Sequence, residues 1–184
     1  MQDNSEFQIL DVRDALMEAK ENTQVYYATD THWNPTGAYV AYHAIIDELN
    51  KSFPDLEAIP LEQFSYQPTP LRIGDMARHF VHVDIPEEYY NYKPGWDSKV
   101  EFRAFPSIDH YEYQIPGSDA YRLLVFHDSF GFGMMPFITQ HFSYSSFYGG
   151  YDIDPFTIES EKPDIVLILW TERSLAKLLE IPDL

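Results

Sequence analysis

The chain has 184 residues, 45% hydrophobic and 16% aromatic, enough to bury the core of one domain. Twelve basic residues against 30 acidic ones leave a net charge of −18 with no basic stripe. That balance argues against nucleic acid and anionic membrane surfaces as partners, because both need clustered Lys and Arg to neutralise phosphates. Cysteine is absent, which excludes disulfides, thiol catalysis and thiolate-built zinc sites. No apolar run approaches the length of a membrane span, and the polar start Met1-Gln2-Asp3-Asn4-Ser5-Glu6 is no signal peptide. The chain is therefore expected to be either cytoplasmic or a soluble portion of something longer.

In chain order, Asp11 to Lys20 places Val12, Leu16 and Ala19 at helical spacing. Gln24 to Ala28 reads as a short strand that delivers the chain to Asp30. Asn34 is a natural N-cap and Pro35 suits a first helical turn. The helix that follows carries Ala38, Ala41, Tyr42, Ile45, Ile46 and Leu49 on one face. Asp30 and His32 thus fall in a strand-to-helix loop, a place where parallel α/β folds carry chemistry.

Residues 51 to 118 depart from that alternation and are rich in aromatics, among them Tyr89, Tyr90, Tyr92, Trp96, Phe102, Phe105, Tyr111 and Tyr113. Lys99 to Phe105 and His110 to Ile115 are expected to pair as an antiparallel hairpin. Most of these rings are expected to pack an inserted β subregion, with one or two facing a site where sugar rings could stack.

Tyr121 to Phe126 is a continuous, mostly apolar run of the kind found in buried parallel strands, and it stops at His127-Asp128-Ser129. Phe132, Met135, Ile138 and Phe142 then recur at helical spacing, with Pro136 blurring the start of the helix. Ser129 would occupy a strand-turn-helix elbow, its hydroxyl exposed and backbone N–H groups close by for an oxyanion. Ser145 to Tyr148 and Asp164 to Leu169 read as two further strands, and Thr171 as the cap of a last helix through Leu179.

A serine hydroxyl needs a histidine to take its proton and a carboxylate to hold that histidine's tautomer. Ser129, His32 and Asp30 can fill these roles. His127 is expected to be structural or substrate-side, Asp128 to orient the elbow, Asp75 to be a turn or cap residue before it is one that lines the cleft, and Glu172 and Arg173 a helix-start ion pair before they are a charge near the site. His43, His79, His82, His110 and His141 are scattered without metal-ligand spacing, and no third ligand accompanies Asp30 and His32, so no metal centre is expected.

Several segments in this order resemble a known family: Thr29-Asp30-Thr31-His32-Trp33-Asn34-Pro35 with Gly37-Ala38, Gly74-Asp75-Met76, and Phe126-His127-Asp128-Ser129-Phe130-Gly131. Pro136-Phe137, His141-Phe142, Pro163-Asp164-Ile165-Val166 and Glu172-Arg173 continue the pattern. Together they are similar to the SGNH-hydrolase-like domain of the alginate O-acetyltransferase family. The resemblance implies an α/β fold of the three-layer SGNH-hydrolase-like (flavodoxin-like) type, with a mostly parallel sheet and a β-rich aromatic insertion. It implies one domain over 1–184, with the insertion at about 51–118. The chain is expected to be either a fragment of a longer protein or a minimal version of that domain.

Mapped onto matching positions, the resemblance makes Ser129 the nucleophile, His32 the base and Asp30 its orienting partner. Phe130, Gly149, Arg173 and Trp33 are the candidates for substrate binding or the oxyanion. The implied activity is O-acetyl transfer, or acetyl-ester hydrolysis, on a cell-surface or exopolysaccharide glycan, in a periplasmic or extracellular setting. No cofactor is expected. The implied partners are a polysaccharide and a membrane-bound source of acetyl groups. The alternative is a catalytically silent glycan-binding or assembly module of the same fold.

Overall fold

The structure is a computed structural model that describes residues 8–107 and 109–180, with side chains left undescribed at 104–107, 179 and 180. The chain divides into two compact units, Met1–Tyr92 and Lys93–Leu184.

In the first unit, helix α1 (Arg13–Lys20) buries Leu16 and packs on helix α2 (Pro35–Asn50). Helix α2 starts as its sequence dictates. The Asn34 side chain accepts a hydrogen bond from the Gly37 amide at 2.9 Å, and Pro35, which has no N–H to leave unsatisfied, opens the first turn. Gly37, Ala38, Ala41, Tyr42, Ile45 and Ile46 face the core, while Leu49 is half-buried. Four short strands follow: β1 (Phe64–Pro68), β2 (Arg72–Ile73), β3 (Pro86–Glu87) and β4 (Tyr90–Pro94), forming the two-stranded pairs β1-β4 and β2-β3. A π-helical turn, Met76–Val81, lies between β2 and β3.

The expected strand from Gln24 to Ala28 does not form. Its backbone pairs instead with its own loop: Tyr26 and Trp33 make an antiparallel bridge, the Tyr27 amide donates to the His32 carbonyl at 3.3 Å, and the Asn34 amide to the Val25 carbonyl at 3.0 Å. Asp30 and His32 therefore sit at the tip of a closed loop that runs directly into α2.

The second unit is built on one five-stranded mixed sheet in the order β5-β6-β8-β7-β9. Its strands are β5 (Glu101–Ser107), β6 (His110–Gln114), β7 (Arg122–His127), β8 (Tyr144–Gly149) and β9 (Ile165–Leu169). Strands β8, β7 and β9 are parallel, and β6 runs antiparallel to both β8 and β5. The hairpin expected from Lys99 to Ile115 thus forms and extends this sheet. β7 has a parallel neighbour on each side and is buried from Leu123 to His127, which is why it reads as an unbroken apolar run. Helix α3 (Gly131–Ile138) continues into a 3-10 turn, Thr139–His141, burying Met134, Met135, Phe137, Ile138 and Phe142 but leaving Phe132 exposed. Helix α4 (Pro155–Glu161) is capped by Asp154, and the segment after β9, expected as an α-helix, is a 3-10 helix from Glu172 to Glu180. Among the described residues, no helix is long and apolar enough to cross a membrane.

Candidate active site

The first unit brings Asp30 and His32 together. Asp30 Oδ1 lies 2.6 Å from His32 Nδ1 and accepts the His32 amide at 3.0 Å. Its other oxygen, Oδ2, accepts the Asp75 amide at 3.1 Å and the Tyr89 hydroxyl at 2.9 Å. Burial opposes ionisation of Asp30, but these donors outweigh it and hold the carboxyl at about 2. Asp30 is therefore an anion at neutral pH and can only accept, so His32 carries its proton on Nδ1 and leaves Nε2 as the basic nitrogen. The Tyr89 phenol is pushed well above its ordinary value by burial and by the Asp30 carboxylate beside it, which keeps it a donor.

Asp75 does more than the turn role its sequence suggests. Its carboxylate accepts both the amide and the hydroxyl of Thr31, at 2.7 and 2.5 Å, and so clasps the residue between Asp30 and His32. Gly74 makes the clasp possible: a Cβ there would stand 2.1 Å from the Thr29 carbonyl oxygen. Ligand atoms of Asp30, His32 and Asp75 lie within 4.8 Å of one another, so the third ligand missing from the sequence pattern is present in the fold. Asp30, Asp75 and Tyr89 border an open cleft of about 460 Å³, lined also by Leu71, Arg72, Arg78 and His79.

The contacts that tie Asp75 and Tyr89 to Asp30 were not legible in the sequence. The two residues stand 45 and 59 residues beyond Asp30, and their only signals are the Gly74-Asp75 pair and membership of a tyrosine-rich stretch. Trp33, a candidate for substrate binding, is only 8% exposed, and its backbone bridges to Tyr26.

In the second unit, Ser129 is exposed in the elbow between β7 and α3, the setting its sequence predicts. Asp128 builds that elbow. Its Oδ1 accepts the Phe130 amide at 3.0 Å, and its Oδ2 accepts the amide and hydroxyl of Thr171, both at 2.8 Å, tying the turn to the end of β9. His127 is wholly buried, with Nδ1 2.7 Å from the Asp128 carbonyl oxygen and Nε2 without a hydrogen-bond partner among the described residues. Burial pushes its imidazole down, so it stays neutral. Gly131 is required beside it, since a Cβ would come within 2.4 Å of the ring.

The remaining candidates divide. Phe130 is buried in the elbow, with the Arg173 guanidinium 5.7 Å from its ring centroid. The amide of Gly149, a candidate for the oxyanion, donates to the Asp109 carbonyl at 2.7 Å, and that of Gly150 to the His127 carbonyl at 2.8 Å.

Residues 3–109, more than half of the chain, match the family described as SGNH hydrolase-like domain, acetyltransferase AlgX. The chain belongs to this family. The matched segment holds the Asp30-His32 loop, Gly74-Asp75 and Tyr89, and stops before Ser129. A search of the curated proteins finds no match.

Solved structures extend the likeness in fold. A DHHW family protein from Eubacterium siraeum is 18% identical, with a TM-score of 0.75, over 95% of this chain and 70% of that one. PatB1 of Bacillus cereus is 17% identical, with a TM-score of 0.65, over 87% of this chain and 68% of that one. The O-acetyltransferase domain of Pseudomonas putida AlgJ is 18% identical, with a TM-score of 0.55, over 90% of this chain and 59% of that one. At such identities the likeness establishes an α/β fold shared with these proteins, and the family that the chain belongs to is described as an acetyltransferase.

Proposed function

We propose that this chain is a serine-dependent O-acetyltransferase or acetylesterase acting on a cell-surface or exopolysaccharide glycan, with Ser129, His32 and Asp30 as its triad. The observation that carries the reading is the Asp30-His32 pair at 2.6 Å, in a loop that belongs to an acetyltransferase family, with the Nδ1 side of the ring turned to the carboxylate so that Nε2 is the nitrogen that acts as base. The Ser129 hydroxyl attacks the acetyl carbonyl while Nε2 takes its proton, and Asp30 stabilises the imidazolium that forms. The leaving alcohol takes that proton, and the acetyl group rests on Ser129 Oγ. A sugar hydroxyl, or water, then gives its proton to Nε2 and accepts the acetyl group, restoring the serine. The Ser129 amide at the start of α3 is the oxyanion donor in this scheme.

The same reading places the protein outside the cytoplasm, with a membrane-bound partner supplying the acetyl group and no cofactor. The three-layer flavodoxin-like arrangement is part of it, supported by the parallel order β8-β7-β9. A second reading, a silent glycan-binding module, is favoured by the commitment of the Phe130, Gly149 and Gly150 amides to protein acceptors, which leaves a sparse oxyanion hole.

A fluorophosphonate probe followed by peptide mapping separates the two. Labelling at Ser129 that disappears in His32→Ala supports the enzyme. An unlabelled, folded protein supports the silent module.

A further inference from the structure

We propose that the second unit holds a divalent-cation site formed by His110, Glu112 and Glu161, taking a first-row transition ion such as Zn²⁺. Ligand atoms of the three residues all lie within 4.8 Å of one another, and none of them takes part in the serine chemistry proposed above. His110 and Glu112 point to the same face of β6, two residues apart, and Glu161 ends α4.

Two properties distinguish this group from an ordinary acidic surface. The first is burial: the side chains of His110, Glu112 and Glu161 are only 10%, 21% and 18% exposed. Two carboxylates drawn together away from water repel, and each loses hydration that something must replace. The second is weak neutralisation. The neighbouring cation is Arg122, whose Nη2 stands 3.7 Å from Glu161 Oε2 but donates to the Glu161 backbone carbonyl at 2.9 Å, with the guanidinium 4.5 Å from the Tyr144 ring centroid. The Tyr148 hydroxyl donates to Glu161 Oε1 at 3.1 Å, which aims that carboxylate without cancelling its charge.

The donor set suits the ion. One imidazole nitrogen and two carboxylates, with water or the Ser146 hydroxyl as a fourth ligand, match zinc or manganese better than calcium, which takes oxygen alone. His110 Nε2 lies 3.5 Å from Glu112 Oε1. A tetrahedral ion with ligands at about 2.0 Å needs its ligand atoms about 3.3 Å apart, so this pair already stands near that separation. Ser146 Oγ, 2.9 Å from the same nitrogen, needs only a χ1 rotation to make way or to join. The ring of His110 is held by stacking on Tyr148 at 3.9 Å, as a ligand held by its surroundings would be. The strongly acidic chain adds general attraction for cations.

The test uses the full chain stripped with EDTA and titrated with Zn²⁺ by calorimetry, with thermal unfolding measured alongside. The expected result is one high-affinity Zn²⁺ per chain and a Tm that rises with its concentration. Glu112→Gln and Glu161→Gln keep the shape of the site, and each is expected to weaken binding by about 100-fold or more, since supporting residues alone are worth about 10–100-fold. Asp75→Asn, which disables the other convergent carboxylate group, is expected to leave this binding intact. Circular dichroism establishes that the variants are folded. The proposal is overturned if folded wild-type protein binds no Zn²⁺, if binding survives both Glu variants, or if Asp75→Asn alone removes it.

Discussion

Asp30 Oδ1 accepts both the backbone amide and the Nδ1 hydrogen of His32, at 3.0 and 2.6 Å, so one oxygen fixes the loop and the tautomer together. Two residues of spacing allow this, because the carboxylate folds back over its own turn. Replacing Asp30 with Asn leaves an amide that can offer an N–H to the ring and favour the wrong tautomer. Acetyl-ester turnover is expected to fall by roughly 10⁴-fold in Asp30→Asn, against roughly 10⁶-fold in Ser129→Ala. p-Nitrophenyl acetate hydrolysis measures both, and equal losses would argue that Asp30 does more than orient.

The same carboxylate ties stability to pH. Its folded value of about 2 lies below the ordinary 3.8, so its contribution is fully present above about 4 and disappears as the pH falls through 2. Urea unfolding at pH 7 and at pH 2 is expected to show a smaller difference for Asp30→Asn than for wild type. An unchanged difference would mean that other carboxylates carry the acid sensitivity.

Ser129 and His32 are expected to act as a unit. The double alanine variant should be little slower than either single one, because neither residue supports the reaction without the other. Additive losses in the steady-state rates would count against the triad.

Some of this was readable from the sequence because the signals are local. Asn34 and Pro35 mark the start of α2 within two positions, and the run from Leu123 to Phe126 has the composition of a doubly covered strand. The strand expected at Gln24 to Ala28 failed for a physical reason: its backbone donors and acceptors are taken by residues 32 to 34 of the same loop, a competition that composition does not reveal. Tyr89 was hidden because its role is set by one hydroxyl reaching Asp30 across 59 residues, while its ring stacks on Tyr27 at 4.0 Å like an ordinary packed aromatic.

Tyr89→Phe isolates that hydroxyl, keeping the stack and removing one donor from Asp30. The Asp30 carboxyl should rise toward its ordinary value, and turnover should fall by about tenfold, the worth of one hydrogen bond to a charged group. The unfolding difference between pH 7 and pH 2 should also shrink, a change that loss of packing would not produce.

Gly74 offers a test of the clasp. Alanine at this position would place its Cβ 2.1 Å from the Thr29 carbonyl oxygen and 2.6 Å from Thr29 Oγ1, so the backbone must shift. Overpacking of this kind costs about 1–3 kcal/mol, which should appear in urea midpoints of Gly74→Ala. Turnover should fall further than that stability loss explains, since Asp75 would be displaced from Thr31. A variant as stable and as active as wild type would show that the loop can yield without disturbing Asp30.

Asp128 separates positioning from chemistry at the Ser129 elbow. Its two oxygens together accept three hydrogen bonds, from Phe130 and Thr171, and the residue is buried. Removing it in Asp128→Ala leaves two amides and a hydroxyl to find new partners, at about 1–3 kcal/mol for each buried group left unsatisfied. Thr171→Val removes one of the three donors and keeps the side-chain shape. Unfolding should therefore be clearly easier for Asp128→Ala than for Thr171→Val, and fluorophosphonate labelling of Ser129 should slow in the same order as the elbow loosens. If Asp128→Ala abolished labelling while its urea midpoint stayed at the wild-type value, Asp128 would be part of the chemistry, and the assignment of Asp30 as the orienting carboxylate would have to be given up.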